Sequence, residues 1–164
     1  LLFGAGVFSW LSFESVILQR AAFGPALSLV QRPQQGVQIA PAVVAGLGYL
    51  ALKPGEVDLL ASMLLGYGLY QLLLAVRLSH WTWQSERAPS YWSFSFGVVA
   101  AASMALQFQQ RTTPYSQSDI DSPWAALALG LFVLANVVIG ALLGLTLILW
   151  RRGLLTQQVC INPS

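Results

Sequence analysis

The stretch Trp92-Ser93-Phe94-Ser95-Phe96-Gly97 opens an apolar run from Tyr91 to Phe108, which closes in Gln107, Gln109, Gln110 and Arg111. Wound as a helix, the run brings Ser93, Phe96, Ala100, Ser103 and Gln107 onto one face, because spacings of three and four residues return to the same side. That face is small and weakly polar and carries one large ring. Phe94, Val98, Ala101 and Ala105 lie opposite. Two readings are open. The stripe is the wall of a narrow conduit with Phe96 as its plug, or it is a packing face whose small residues admit a neighbouring helix.

The environment of that helix follows from composition. The chain is 56% hydrophobic and only 9% charged, against about 25% charged in a soluble domain. Its charges cluster between the apolar runs, so the chain reads as an all-α integral membrane protein. The net charge of +2 comes from these connections and indicates topology, not nucleic-acid binding. Cys160 and His80 are each the single residue of their kind. No thiolate metal site or catalytic pair forms around them, and His80 reads as interfacial. Gly-rich phosphate loops, HExxH and GxSxG are all missing, so no enzyme, cofactor or metal site is expected. The chain opens on Leu1-Leu2-Phe3, already apolar, which is the pattern expected of the C-terminal part of a longer chain.

Five spans are expected, at about residues 1–19, 36–52, 57–78, 91–108 and 124–150, followed by a polar tail at 154–164. At ~1.5 Å per residue the first just crosses a ~30 Å hydrocarbon core. The second is short and interrupted by Pro41, Gly46 and Gly48, with a kink expected at Pro41. Its Gln38, Pro41, Ala45 and Gly48 share a face of small residues. Such spans occur both along transporter pathways and as close-packing helices. Lys53-Pro54-Gly55-Glu56 is a turn, and Glu56 and Asp58 are expected in the first turn of the third helix, where the dipole favours negative charge. Trp81 and Trp83 suggest an interfacial belt. Ser122-Pro123 marks the start of the last helix, which holds Asn136 and a Gly140/Gly144 pair.

Alternating connections place Arg20, Arg32, Arg77, Arg87, Arg151 and Arg152 on one side, with Lys53 and Arg111 on the other. The positive-inside rule makes the first side cytoplasmic, and with it the C-terminus. Glu56, Asp58, Asp119 and Asp121 then fall outside. Glu14 is the one acid within a span. A carboxylate there is costly, so it either makes structural hydrogen bonds or takes part in transport or proton coupling. The pathway candidates Ser93, Ser103, Gln38 and Gln107 are neutral hydrogen-bonding groups. A lining without fixed charge holds an ion weakly enough to release it.

Six short motifs then occur in order: Leu2-Phe3-Gly4-Ala5-Gly6, Phe13-Glu14, Ile39-Ala40-Pro41-Ala42, Gly55-Glu56-Val57-Asp58, Gly66-Tyr67-Gly68 and Trp92-Ser93-Phe94-Ser95-Phe96-Gly97. Together they resemble the bacterial tellurite-resistance/dicarboxylate transporter family, which also contains the plant guard-cell slow anion channels. The resemblance implies ten transmembrane helices arranged as five hairpins around a central pore, with odd-numbered helices inside, and assembly as homotrimers. This chain is similar to helices six to ten. Its second and fourth spans would then be pore-lining, and Phe96 falls on the phenylalanine of the ninth helix that closes the family's pore. The implied function is passage of small anions through a bacterial inner membrane: tellurite, a C4-dicarboxylate such as malate, or inorganic anions. The first five helices of the same chain would be needed to complete the pore. The alternative is a scaffold that does not transport and packs through Gly140, Gly144 and its small-residue faces.

Overall fold

A computed structural model describes residues 1–24, 32–83, 89–112 and 122–152. The expected all-helical membrane fold is present. It comprises α1 (Leu2–Phe23), a 3₁₀ segment (Arg32–Ile39), α2 (Ala40–Leu52), α3 (Leu59–Arg77), a short α4 (Ser79–Trp83), a 3₁₀ turn (Pro89–Trp92), α5 (Ser93–Thr112) and α6 (Pro123–Arg151). Arg87, Asp119, Asp121, Cys160 and the tail lie outside the described residues. Among the described residues four stretches are long and apolar enough to cross a bilayer: Leu2–Arg20, Gln35–Leu52, Leu59–Arg77 and Pro123–Arg151. Helix α5 has 20 residues, and its serines and terminal glutamines make it less apolar than these four.

Two sequence readings change in detail. Pro41 is near the start of α2, where the chain passes from 3₁₀ to α geometry. Its missing N–H falls among the donors that no intrahelical acceptor reaches, so it begins a helix instead of kinking one. Of the two acids expected at the start of α3, only Asp58 serves the helix. It is the N-cap and accepts from the Ala61 N–H at 3.0 Å; Glu56 sits before it. Ser122 caps α6 as expected, accepting from the Ala125 N–H at 3.0 Å, with Pro123 following.

Helix α5 is the centre of the bundle, and its small residues explain why. Val98, Ala101, Ala102, Met104, Ala105 and Phe108 are buried against Val43 and Leu50 of α2, Leu65 of α3, and Ala128, Leu131 and Ala135 of α6. Lipid is as apolar as leucine, so tight fit rather than hydrophobicity holds such helices together. Gly46 receives the Met104 side chain and Gly68 receives Val43, each where a Cβ would collide. Phe108 stacks on Trp124 with ring centroids 5.2 Å apart.

Polar contacts fix the directions. The Ser93 hydroxyl donates to the Pro33 carbonyl at 2.7 Å, and Trp92 Nε1 donates to Thr146 Oγ1 at 3.0 Å. At the other end the Arg111 guanidinium donates to the Leu50 and Lys53 carbonyls at 2.8 and 2.9 Å, satisfying acceptors that α2 leaves open at its C-terminus. Thus α5 runs parallel to α2 and antiparallel to α6. One end of the bundle gathers Arg32, Arg77, Trp81, Arg151 and Arg152, and the other gathers Lys53, Asp58 and Arg111. Arg32 lies over the Trp81 ring, 4.5 Å from its centroid, as suits an aromatic belt residue beside a cation.

The α2–α3 turn carries an ion pair between Lys53 and Asp58, which also accepts from the Tyr49 hydroxyl. The Lys53 hydrogen bond, then Tyr49 and the Ala61 N–H, hold the Asp58 carboxyl well below the usual carboxylate range, and the Asp58 hydrogen bond raises Lys53. A depressed acid stabilises the fold above its unfolded pKa, and that contribution disappears as pH falls through the folded value. A raised lysine acts in the opposite direction, stabilising below its unfolded pKa until pH rises through its folded one. The thermal midpoint of detergent-solubilised protein is therefore expected to fall as the pH drops below about 4. Asp58→Asn should reduce that dependence, and an identical acid limb in the variant would remove this pair from the explanation.

Candidate pore face

Helices α2 and α5 each leave one stripe uncovered. On α5 it runs through Phe96, Val99, Ser103, Leu106 and Gln110, at spacings of three and four. Phe96 is 63% exposed, the most of any large apolar residue on α5. On the 3₁₀ segment and α2 the stripe runs through Val37, Val44, Ala51 and Leu52. Away from these stripes α2 and α5 pack on each other, on the 3₁₀ segment and on α3, with α1 also against α2 and α6 against α5.

The residues expected at the pathway divide between the stripes and the packed surface. Phe96 projects from the stripe. Ser103 is half-buried, and its hydroxyl donates to the Val99 carbonyl of its own helix at 2.9 Å. Gln107 is half-buried on the same side. Ser93 is tied to the Pro33 backbone, and Ala100 is buried in the core at 6% exposure. Gln38, Pro41 and Ala45 are half-buried flanks of the α2 stripe. The face expected from sequence thus lies slightly too far round toward the 3₁₀ segment and α2, where Ser93 is tied: Val99 and Leu106 belong to the stripe, and Ala100 to the packing. Both residues lie three or four positions from Phe96 or Ser103, so the helical period alone could have indicated them.

Phe96 owes its position to the residue after it. A Cβ on Gly97 would stand 2.7 Å from Ile39 Cβ and 3.2 Å from the Ala40 backbone N. Gly36 faces back across the same junction, where a Cβ would meet the Ser93 hydroxyl and the Phe94 ring at 2.6 and 2.7 Å. These two glycines let α5 press against the 3₁₀–α2 junction. Gly97→Ala must displace backbone, and we expect a loss of about 1–3 kcal/mol, the usual cost of overpacking. Gly140→Ala, where nothing lies within 4 Å, is expected to leave stability unchanged. Chemical unfolding of the two variants side by side checks the contrast.

Glu14 lies away from this face, between α1 and α3. It is 6% exposed and accepts from three donors: the Tyr67 hydroxyl at 2.6 Å and Gln71 Nε2 at 3.0 Å, both to Oε1, and Trp10 Nε1 at 3.2 Å to Oε2. Gln71 also donates to the Tyr67 hydroxyl at 2.8 Å. Trp10 was legible as the residue one turn before Glu14. Tyr67 and Gln71, themselves one turn apart, required the fold. Asn136 is exposed on α6, and its amide bonds the Phe132 carbonyl of the same helix. Among the described residues no three His, Cys, Asp or Glu side chains gather where they could hold a metal.

The family model described as SLAC1, voltage-dependent anion channel, matches residues 1–147. The chain is also 34% identical over 153 residues to a protein of Haemophilus influenzae named tellurite resistance protein TehA homolog. That match takes in 93% of this chain and 43% of the relative, so the chain spans less than half the length of the curated relative it matches. A family match over nearly all of the chain, on a bundle of apolar spanning helices, places this protein in the SLAC1-type voltage-dependent anion channel family.

Proposed function

We propose that this chain supplies part of the wall of a pore for small anions, with α2 and α5 as lining helices and the Phe96 ring as the constriction. In this reading α5 is a fifth crossing, and Phe96, Ser103 and Gln107 face the lumen with the Val37 and Val44 stripe beside them. The observation that carries the reading is a large ring exposed on the central helix of the bundle and braced from behind by the Gly97–Ile39 contact. A stripe of apolar and neutral polar groups suits permeation, because a site with fixed charge would hold the ion too tightly.

Two lining helices do not enclose a lumen. The reading therefore requires further lining helices, and the relative, of which this chain spans 43%, has the length to hold them. Assembly as a homotrimer in a bacterial inner membrane with the Arg151–Arg152 end cytoplasmic completes the proposal. The positive-inside asymmetry of the two bundle ends supports that orientation. The test is flux of chloride, nitrate, malate and tellurite into liposomes holding the protein at its natural length. Passage of one or more, in an order that names the substrate, is expected. Folded protein that passes none, even with Phe96 shortened, would instead indicate a scaffold that packs through the open Gly140 and Gly144 surface.

A further inference from the structure

On the flank of α5 away from its uncovered stripe, α3 and α6 stand apart, with no Cα atoms within 8 Å of each other among the described residues. They leave an open groove of about 570 Å³ between them, within the ~300–1,000 Å³ of small-ligand sites. Leu72 and Val76 of α3, Val98 of α5 and Leu145 of α6 form its walls, and its polar groups, such as Ser79 and Thr82, come from α4 and the adjoining turns at one end. On the α6 side the lining begins at Leu134 and ends at Ile148, a length of about 20 Å at ~1.5 Å per residue. An apolar groove that opens toward the surrounding bilayer holds water poorly and suits a hydrocarbon chain.

The charge at the polar end selects among hydrocarbons. Leu145 and Ile148 belong to a helical row whose next position, four residues on, is Arg152, with Arg151 beside it; both are exposed. Arg77 ends α3 at the same level. Cations at the membrane-surface end of an apolar inter-helix groove match the phosphate of an anionic lipid whose chain enters the groove. A second copy of this chain docking by the same surface would bring two such cation clusters together, which disfavours it.

We propose that the α3–α6 groove binds an anionic phospholipid of the surrounding bilayer, one acyl chain along α6 and its phosphate at Arg151 and Arg152. The test is native mass spectrometry of the protein at its natural length, titrated with phosphatidylglycerol or phosphatidylcholine of identical chains. Phosphatidylglycerol should bind the wild type more tightly. At roughly fivefold per arginine near the surface, the double variant Arg151→Gln/Arg152→Gln should weaken phosphatidylglycerol about thirtyfold and weaken phosphatidylcholine, whose phosphate is offset by its own choline cation, much less. Ala141→Phe, which fills the groove, should weaken both lipids. Equal binding of the two lipids by wild type, or a double variant of unchanged affinity, overturns the proposal. So does an Ala141→Phe protein that loses subunits while its lipid count is unchanged, since the groove would then be a contact between copies.

Discussion

Phe96→Ala is expected to raise anion flux about tenfold or more in liposomes containing the protein at its natural length. The expected gain is steric and dielectric in origin. A phenylalanine projecting into a narrow lumen excludes water from that level, and an ion passing it must shed hydration with no compensating partner nearby. Shortening the ring to a methyl admits water. Each ~1.4 kcal/mol taken from the barrier is a factor of ten in rate, and full desolvation of an anion costs far more than that. The fold itself should be nearly indifferent, because the ring is 63% exposed and fills no part of the core. The variant therefore separates gating from folding: flux rises while the thermal midpoint is held. Phe96→Leu should fall between the two, since it narrows the lumen less than the ring does. Unchanged flux at matched incorporation would sink the assignment of Phe96 as the constriction.

The helical architecture was legible in the sequence because membrane spans announce themselves by length and composition, and because Ser122-Pro123 and Asp58 mark helix starts by local chemistry. The second span was less legible. Its 3₁₀ segment from Arg32 to Ile39 packs on α5 with Gly36 against Ser93 and Phe94 and Ile39 against Gly97, and periodicity within one element carries no information about that approach. The same limit applies to the pore face. Sequence periodicity placed Ser93 and Ala100 beside Phe96, but whether a small residue packs or lines a lumen depends on the neighbour, and here α5 has neighbours on most of its circumference. Arg111 read only as a topological charge. Its role at the end of α2 needed the parallel pairing of α2 and α5, which no local motif encodes. The groove between α3 and α6 is likewise a property of two helices that fail to meet.

The second large effect is expected at Glu14. Few residues of α1 are buried, 6% of its spanning window, so its attachment rests on few contacts: Phe3 against Tyr49, Trp10 against Tyr67, and the Glu14 hydrogen bonds. The three groups around Glu14 all donate, and a carboxylate, which only accepts, satisfies all three at once. Glu14→Ala leaves the Tyr67 hydroxyl, the Gln71 amide and the Trp10 indole N–H without that acceptor, inside a region where no water replaces it. Inter-helix hydrogen bonds in bilayers contribute about 0.6 kcal/mol each on average and up to about 1.7, so the variant is expected to lose about 2–5 kcal/mol and to release α1. Glu14→Gln keeps one acceptor oxygen but turns an amide N–H₂ toward another donor, and should lose roughly a third to a half as much. Unfolding in detergent measures the cost, and protease accessibility of α1 reports whether the helix detaches. The same pair of variants decides between the two roles open to an intramembrane acid. If Glu14 serves only to dock α1, Glu14→Gln lowers stability but leaves the pH profile of flux per folded molecule as in wild type. A profile that flattens in Glu14→Gln, in protein that remains folded, would instead assign the carboxylate to proton coupling.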